Sequence, residues 1–580
     1  MRKTFHCFSP DKWASLAFGT IICLFWGLMM PHHIHYHEQF QLFLFTQEYL
    51  EDKLYHPGGI IEYIAEFLTQ FYFLAWLGSL VLATVLTVIQ RQVQWLLQSL
   101  GNNSHHIPLS YLPSFLLWGY LCDENAMLAL PLSIIGTLTG IIIYQKTFRK
   151  SRLRLLVILL LTPLLYWIAG GSVLLFSIWI ALLERRNILL SICTLIIGIV
   201  CPIYAQYLVQ YPLIRLIAGI DYYRYPTVVK TTMTVTLLSL LLIPWLHKIL
   251  PPPTSNSRPW LWGESFLVLL TGIGFVFASV DWEREETLKY DYLLRMKQWN
   301  RIIHAAEKDN PKSPFSVTCL NLALAMKGEL GERMFHFYQN GTEGLLPSFQ
   351  RHFTTLLPAS EVYYQLGMVN TAQRYTFEAM EAIPNYNKSG RAYKRLAETN
   401  LINGKYAVAT KYLKTLQHTL FYRKWATETL KLINDETKVN NHPEWGRLRL
   451  LRFQNDFLFN ESDMEKMLIT LLNTNKNNKM AFEYLMAWLL LNNDVELFMK
   501  YLPLIGQLGY RQVPLSYQEA LLFVWTQQHS SFEGLPLKIP EHLKKGITEF
   551  ATIYTTHKNP QELLQKKYGN TYWYYILYRK

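Results

Sequence analysis

Cysteine is scarce, and it is nearly missing where a secreted-type framework would need it. Of six cysteines, only Cys319 lies beyond residue 280, so no disulfide network braces the C-terminal half. No Cys-x-x-Cys pair occurs. No stripe of Arg and Lys suits a phosphodiester backbone. The excess of 13 positive charges is spread over loops and the C-terminal half, so no nucleic-acid partner is expected. The first apolar run, Trp13–Met30, lacks a small-residue cleavage site and is followed by further runs. It therefore reads as an anchored span and not as a cleaved leader.

Long apolar runs fill the first half instead. A span needs about 20 apolar residues. Trp13–Met30, Phe67–Ile89, Ala126–Tyr144, Ile188–Val209, Thr231–Leu246 and Leu261–Val280 qualify or come close. Arg154–Leu183 is interrupted by Gly170-Gly171 and reads as two short spans hinged there. Leu109–Cys122 reads as a tilted or re-entrant helix. These make about nine crossings. With nine, Arg2, Lys3, Lys12, Arg91, Lys146, Arg149, Lys150, Arg152, Arg154, Arg185, Arg186, Lys248 and Arg258 share one side, and Lys53, Arg215, Arg224 and Lys230 the other. Thirteen against four places the N-terminus in the cytoplasm and everything after Asp281 outside it. The expected location is a bacterial cytoplasmic (inner) membrane. The expected division is a membrane bundle over residues 1–280 and an extracytoplasmic helical domain over residues 281–580, an all-α protein throughout.

The loops on the outer side carry the chemistry. The first, from Pro31 to Gly59, opens His-His-Ile-His-Tyr-His-Glu, and it holds five of the 17 histidines. The alternation of His35, His37 and Glu38 is strand-like, and makes His35 and His37 candidate ligands for a divalent metal ion. The segment Gln39–Leu54 reads as an amphipathic helix along the membrane surface, ended by Pro57-Gly58-Gly59. Glu62 and Glu66 follow, four apart and so on one helix face. The next outer turn is Asp123-Glu124-Asn125. The last large outer loop holds Arg215, Asp221 and Arg224. Carboxylates at a membrane boundary are costly unless paired, hydrated or used. Each group also has a plainer reading: headgroup-zone histidines, a hydrated helix mouth, a turn, snorkelling arginines. What favours joint use is that all of them share one side.

This layout of first span, acidic outer loop with a surface helix, and second span entered through Gly-Gly resembles the GT-C class of membrane glycosyltransferases. The resemblance covers roughly residues 1–280 and is one of layout. It implies transfer of a sugar from a polyprenyl-phosphate donor at the outer face, with an acidic residue of the first loop as base or metal ligand. The Asp-x-Asp or Asp-Asp pair frequent in that class is absent; Glu38 is the nearest candidate, and Glu51-Asp52 a second. By the same analogy Glu38, Asp123 and Glu124 are the catalytic candidates. Arg215, Arg224, Asp221, Glu62 and Glu66 are candidates for holding donor and phosphate. Glu38, Asp123 and Arg224 are expected to face one water-filled cavity. The chain also looks like an uncharacterised bacterial multi-pass family.

From Trp282 onward the pattern is one of helical hairpins. Gly367, Ala372, Ala379 and Pro384 resemble the small and proline positions of a tetratricopeptide repeat. Tyr393, Leu396, Ala397, Gly404, Tyr406 and Ala409 make a second match. Such solenoids bind a peptide or protein partner. Gly404 is expected in a tight turn with Ala397 and Ala409 at a helix contact. A non-catalytic membrane scaffold recruiting envelope proteins is the competing function. A transporter ranks below both, because no internal repeat stands out in the membrane half.

Overall fold

The computed structural model describes residues 10–100, 108–148, 153–225, 227–249, 258–350, 353–384, 388–433, 435–453, 460 and 463–578. Of the basic residues used for orientation, Arg2, Lys3, Arg149, Lys150 and Arg152 lie outside them. The fold is all-α. Among the described residues there is no strand, only one isolated antiparallel bridge between Ala126 and Tyr223. The chain forms two units. The first is Met1–Glu285 with Pro384–Gly390 and Gln417–Lys424; the second is Glu286–Ile383, Arg391–Leu416 and Trp425–Lys580.

The first unit contains α1 (Pro10–Leu24), α2 (Pro31–Gln39), α3 (Gln47–Leu54), α4 (Gly59–Thr69), α5 (Ala75–Leu100), α6 (Leu112–Leu121) and α7 (Ala129–Ile143). It continues with α8 (Arg154–Ala169), α9 (Val173–Leu183), α10 (Ile188–Leu208), α11 (Leu213–Ala218), α12 (Thr231–Ile249), α13 (Arg258–Ser279) and the start of α14 (Trp282–Arg295). Among the described residues, five helical segments are long and apolar enough to cross a membrane, or six if the bent pair Phe266–Ser279 and Trp282–Arg295 is one span. By length alone Arg154–Leu183 counts among the five as a single segment. Its two ends nevertheless meet: Arg154 lies 3.3 Å from Glu184. A straight helix of 30 residues would hold its ends about 45 Å apart. The run therefore doubles back at Gly170–Ser172 and forms two short helices.

Side-chain hydrogen bonds give the helix directions. Ser15 bonds Gln90, and Gln90 bonds Ser110, both at 2.8 Å, while Ser114 bonds the Leu86 carbonyl at 3.1 Å. So α1 and α6 both run antiparallel to α5. Gln92 to Thr139 and Gln145 to Ser99, both 2.8 Å, set α7 parallel to α5. The short α6 therefore passes alongside α5 without turning back. It is short because Phe115, Leu117, Trp118 and Tyr120 are buried in protein, not facing lipid over a full span.

One end of this bundle collects the polar loops. The surface helix expected over Gln39–Leu54 is only Gln47–Leu54, capped by Thr46, whose hydroxyl accepts from the Tyr49 amide. The histidine segment before it is α2, an α-helix started by Pro31.

In the second unit, Trp299–Asp309 packs on Pro314–Lys327, Phe353–Leu366 on Val369–Glu381, and Met464–Thr474 on Lys479–Leu491. Each is a pair of consecutive helices. Gly404 has φ +71° between Gly390–Ile402 and Tyr406–Gln417, and Ala397 and Ala409 are fully buried. The aromatic tail docks on a helix: Trp573 donates to the Glu519 carbonyl at 2.7 Å, and the Tyr572 amide to the Glu519 carboxylate at 2.8 Å.

Candidate functional site

Two helices on either side of a glycine turn build the first wall. Glu62 and Glu66 sit one turn apart on α4, and Lys53, at the end of α3, reaches both. Its Nζ lies 3.0 Å from Glu66 and in closer contact with Glu62. Tyr49 donates its hydroxyl to the other oxygen of Glu66. His56 Nε2 is 3.3 Å from Glu62 Oε2. Lys53, His56, Glu62 and Glu66 are all buried, and buried charge is tolerated only when paired. The pairing requires the turn to be tight. A side chain on Gly59 would put its Cβ 1.6 Å from the Lys53 carbonyl oxygen. Burial works to lower the Lys53 ammonium, but the Glu66 and Glu62 carboxylates outweigh it and hold it well above its ordinary value. Burial and the charge of Asp221 push Glu62 well up, against the pull of Lys53.

The second wall comes from far along the chain. After α11 the loop carries Asp221, followed by Tyr222, which is buried and pinned. The Tyr222 hydroxyl bonds the Ala169 carbonyl at 2.5 Å and Ser133 at 2.6 Å, and its carbonyl accepts from the Met127 amide at 3.2 Å. The loop can lie this close because Gly171 has no side chain: a Cβ there would meet the Ile217 carbonyl at 2.1 Å. Gly58 closes the third side, its amide donating to the Trp167 carbonyl at 2.9 Å. Asp221 thereby joins His56 and Glu62, with one ligating atom of each within 4.8 Å of the others. They line a cavity of about 460 Å³, together with Asp52, Lys53, Tyr49, Tyr211, Arg215 and Lys388. Arg215 lies over the Tyr211 ring at 5.0 Å.

A second ionic cluster lies on α2. His33 Nδ1 is 2.5 Å and His32 Nε2 2.9 Å from Glu285. His33 Nε2 is 3.1 Å from both the Leu121 carbonyl and His37 Nε2. Burial opposes the His33 imidazolium, but Glu285 outweighs it and raises the group. His37 is lowered well below its ordinary value by burial and by His33. The shifts make His33 the better donor of the two and His37 the better acceptor. Despite its burial, Glu285 is drawn down to about 2 by the two histidines. The adjoining cavity, walled by His33 and His37, is only about 10 Å³, room for one water at most.

The residues singled out from the sequence fall into separate places. Glu62, Glu66, Asp221 and Arg215 belong to the first group, and Glu62, Asp221 and Arg215 line the large cavity. Glu38, Asp123 and Arg224 do not line it. Glu38 is buried and accepts from the Tyr422 hydroxyl at 3.0 Å. Asp123 is 2.8 Å from Lys230, and Glu124 is 3.2 Å from Arg284. Arg224 is buried over the Phe40 ring at 4.8 Å, and burial lowers it. His35 and His37 are two apart on an α-helix, not on a strand. They point about 200° apart around its axis and not to a common ion. Lys53, His56 and Lys388 were not singled out as site residues. For Lys53 a signal existed: a lysine one turn before a Pro-Gly-Gly break, facing two acids one turn after it.

Residues 8–579 match the family model described as "Family of unknown function (DUF6057)", and the chain belongs to that family. No glycosyltransferase or tetratricopeptide family model matches. No curated protein and no solved structure matches.

Proposed function

We propose that this member of a family of unknown function is a membrane transferase of GT-C-like type, moving a sugar from a polyprenyl-phosphate donor to an acceptor in the cell envelope. The observation that supports this most is the 460 Å³ cavity, where acids, a histidine and three cations share one wall. Such a mixture suits a substrate that carries phosphate and must lose a proton. In this reading an acceptor hydroxyl gives its proton to Asp52 or Asp221. Its oxygen bonds to the anomeric carbon of the sugar, and the bond from that carbon to the donor phosphate breaks. Arg215 and Lys388 meet the charge left on the phosphate. The cavity belongs to the outer face of a bacterial cytoplasmic membrane, with the N-terminus inside, as the thirteen-to-four distribution of basic residues argues.

The test uses the full chain in lipid vesicles with a panel of polyprenyl-phosphate hexoses and an envelope-glycan acceptor. Transfer is expected, and Arg215→Ala is expected to cut it by about 100-fold, the scale of losing one charge-stabilising group. Absence of transfer from every donor, with the protein folded, overturns the proposal. The scaffold reading would then lead. It draws support from the paired helices of the second unit, a tetratricopeptide-like arrangement suited to holding a protein or peptide.

A further inference from the structure

The cavity wall brings an imidazole and two carboxylates to one point. From this juxtaposition we infer that His56, Glu62 and Asp221 bind a divalent transition-metal ion. The inference rests on the transferase reading for the ion's role, but not for its binding.

Three observations carry it. First, the ligand atoms are near enough. All three lie within 4.8 Å of one another, and His56 Nε2 to Glu62 Oε2 is 3.3 Å. An ion about 2.1 Å from each ligand holds its ligands about 3.0–4.2 Å apart, so small side-chain rotations close the set. Second, the two oxygens of Glu62 are divided in use. Lys53 takes Oε1, and Oε2 faces His56. The lysine thus braces the ligand from behind, as the outer partners of metal-binding carboxylates do. Third, two of the three ligands are carboxylates set side by side: Asp221 stands next to Glu62, whose other oxygen is taken by Lys53. Carboxylates held this close need a proton or a cation between them.

One imidazole with two carboxylates suits Mn²⁺ or Zn²⁺ better than Mg²⁺ or Ca²⁺, which prefer all-oxygen sites. Three protein ligands leave positions open toward the cavity, the pattern of catalytic sites and not of closed structural ones. There the ion would polarise the donor phosphate opposite Arg215, which leaves Asp52 for the acceptor proton.

The experiment takes the full chain in detergent, stripped with EDTA and dialysed, and titrates it with Mn²⁺ by electron paramagnetic resonance. One Mn²⁺ per chain is expected, displaced by Zn²⁺ and not by equimolar Mg²⁺. His56→Gln and Asp221→Asn should each weaken binding at least tenfold. Asp221 is only half-buried, so its variant keeps the fold if His56→Gln does not. Absence of stoichiometric binding, or binding unchanged in both variants, overturns the site. Transfer that persists in EDTA with no ion bound removes the metal and leaves the transferase standing. Ion binding without transfer does the reverse.

Discussion

Two ionic clusters in the first unit each set histidine against a carboxylate, and they differ most in the space beside them. Around His33, Glu285 and His37 there is about 10 Å³; around His56, Glu62 and Asp221 there is about 460 Å³. In the closed cluster the Glu285 carboxylate lies against both His32 and His33, and His37 sits behind His33. The open cluster has one lysine shared between two acids with a third acid close by. A filled cluster works as a structural fastening, whereas an open one keeps capacity for a ligand. The histidine-rich stretch, the most conspicuous motif in the sequence, belongs to the fastening.

That contrast can be broken by removing an acid from each cluster. The largest effect is expected for Glu285→Gln, which leaves the buried His33 without its counter-charge. Loss of one partner of a buried pair costs about 3–5 kcal/mol, to be read as a drop in thermal midpoint in detergent. Its pH dependence gives a second check. His33 is raised, so its contribution is full below its ordinary value of 6.5 and fades as pH rises through the raised value. Glu285 is lowered to about 2, so its contribution is full above its ordinary 4.5 and fades as pH falls toward 2. The pair, counted once, stabilises most between 4.5 and 6.5. Glu285→Gln should flatten that maximum. A maximum that persists in the variant would assign the stability to other groups.

A smaller effect is expected for Gly171→Ala. Its Cβ would collide with the Ile217 carbonyl at 2.1 Å, and overpacking of this kind costs about 1–3 kcal/mol. The loop bearing Asp221 should shift with it. The variant should therefore lose metal binding as well as stability, whereas an equal loss of stability with binding intact would separate the glycine contact from the site.

The smallest effect on stability is expected for Asp221→Asn. The residue is half-buried; it repels Glu62 and attracts Lys53, and these offset. A change under about 1 kcal/mol in either direction is expected, together with loss of transfer. A large destabilisation would make the open cluster a second fastening and erase the comparison.

Much of the fold was legible because it depends on local pattern. Apolar runs of helix length marked the bundle, and the glycines at 170 and 171 marked the reversal that the Arg154–Glu184 contact requires. Gly404 marked a turn through its positive φ, which suits glycine. Two local readings differed from the structure. The spacing of His35 and His37 suggested a strand, but Pro31 and the continuing first span lead into a helix. The surface helix was drawn too long, because the apolar residues from Phe40 to Leu44 fit a helix while lying in a connecting segment.

Composition and local periodicity are enough to make the chain all-α, to locate its apolar segments and to mark which polar loops could supply chemistry. These follow from composition and from periodicity over one or two helical turns, where the nearest neighbours along the chain decide the outcome. Long-range packing is what brings Asp221 to Glu62 and His56 while Glu38 and Asp123 take partners elsewhere. That choice rests on the approach of Gly58 and Gly171 to distant backbone and on the anchoring of Tyr222, contacts between segments from 46 residues (Gly171 to Ile217) to 109 residues (Gly58 to Trp167) apart. Packing at that separation leaves no periodic trace in the sequence, because a glycine that permits a close approach looks the same as one that merely ends a helix.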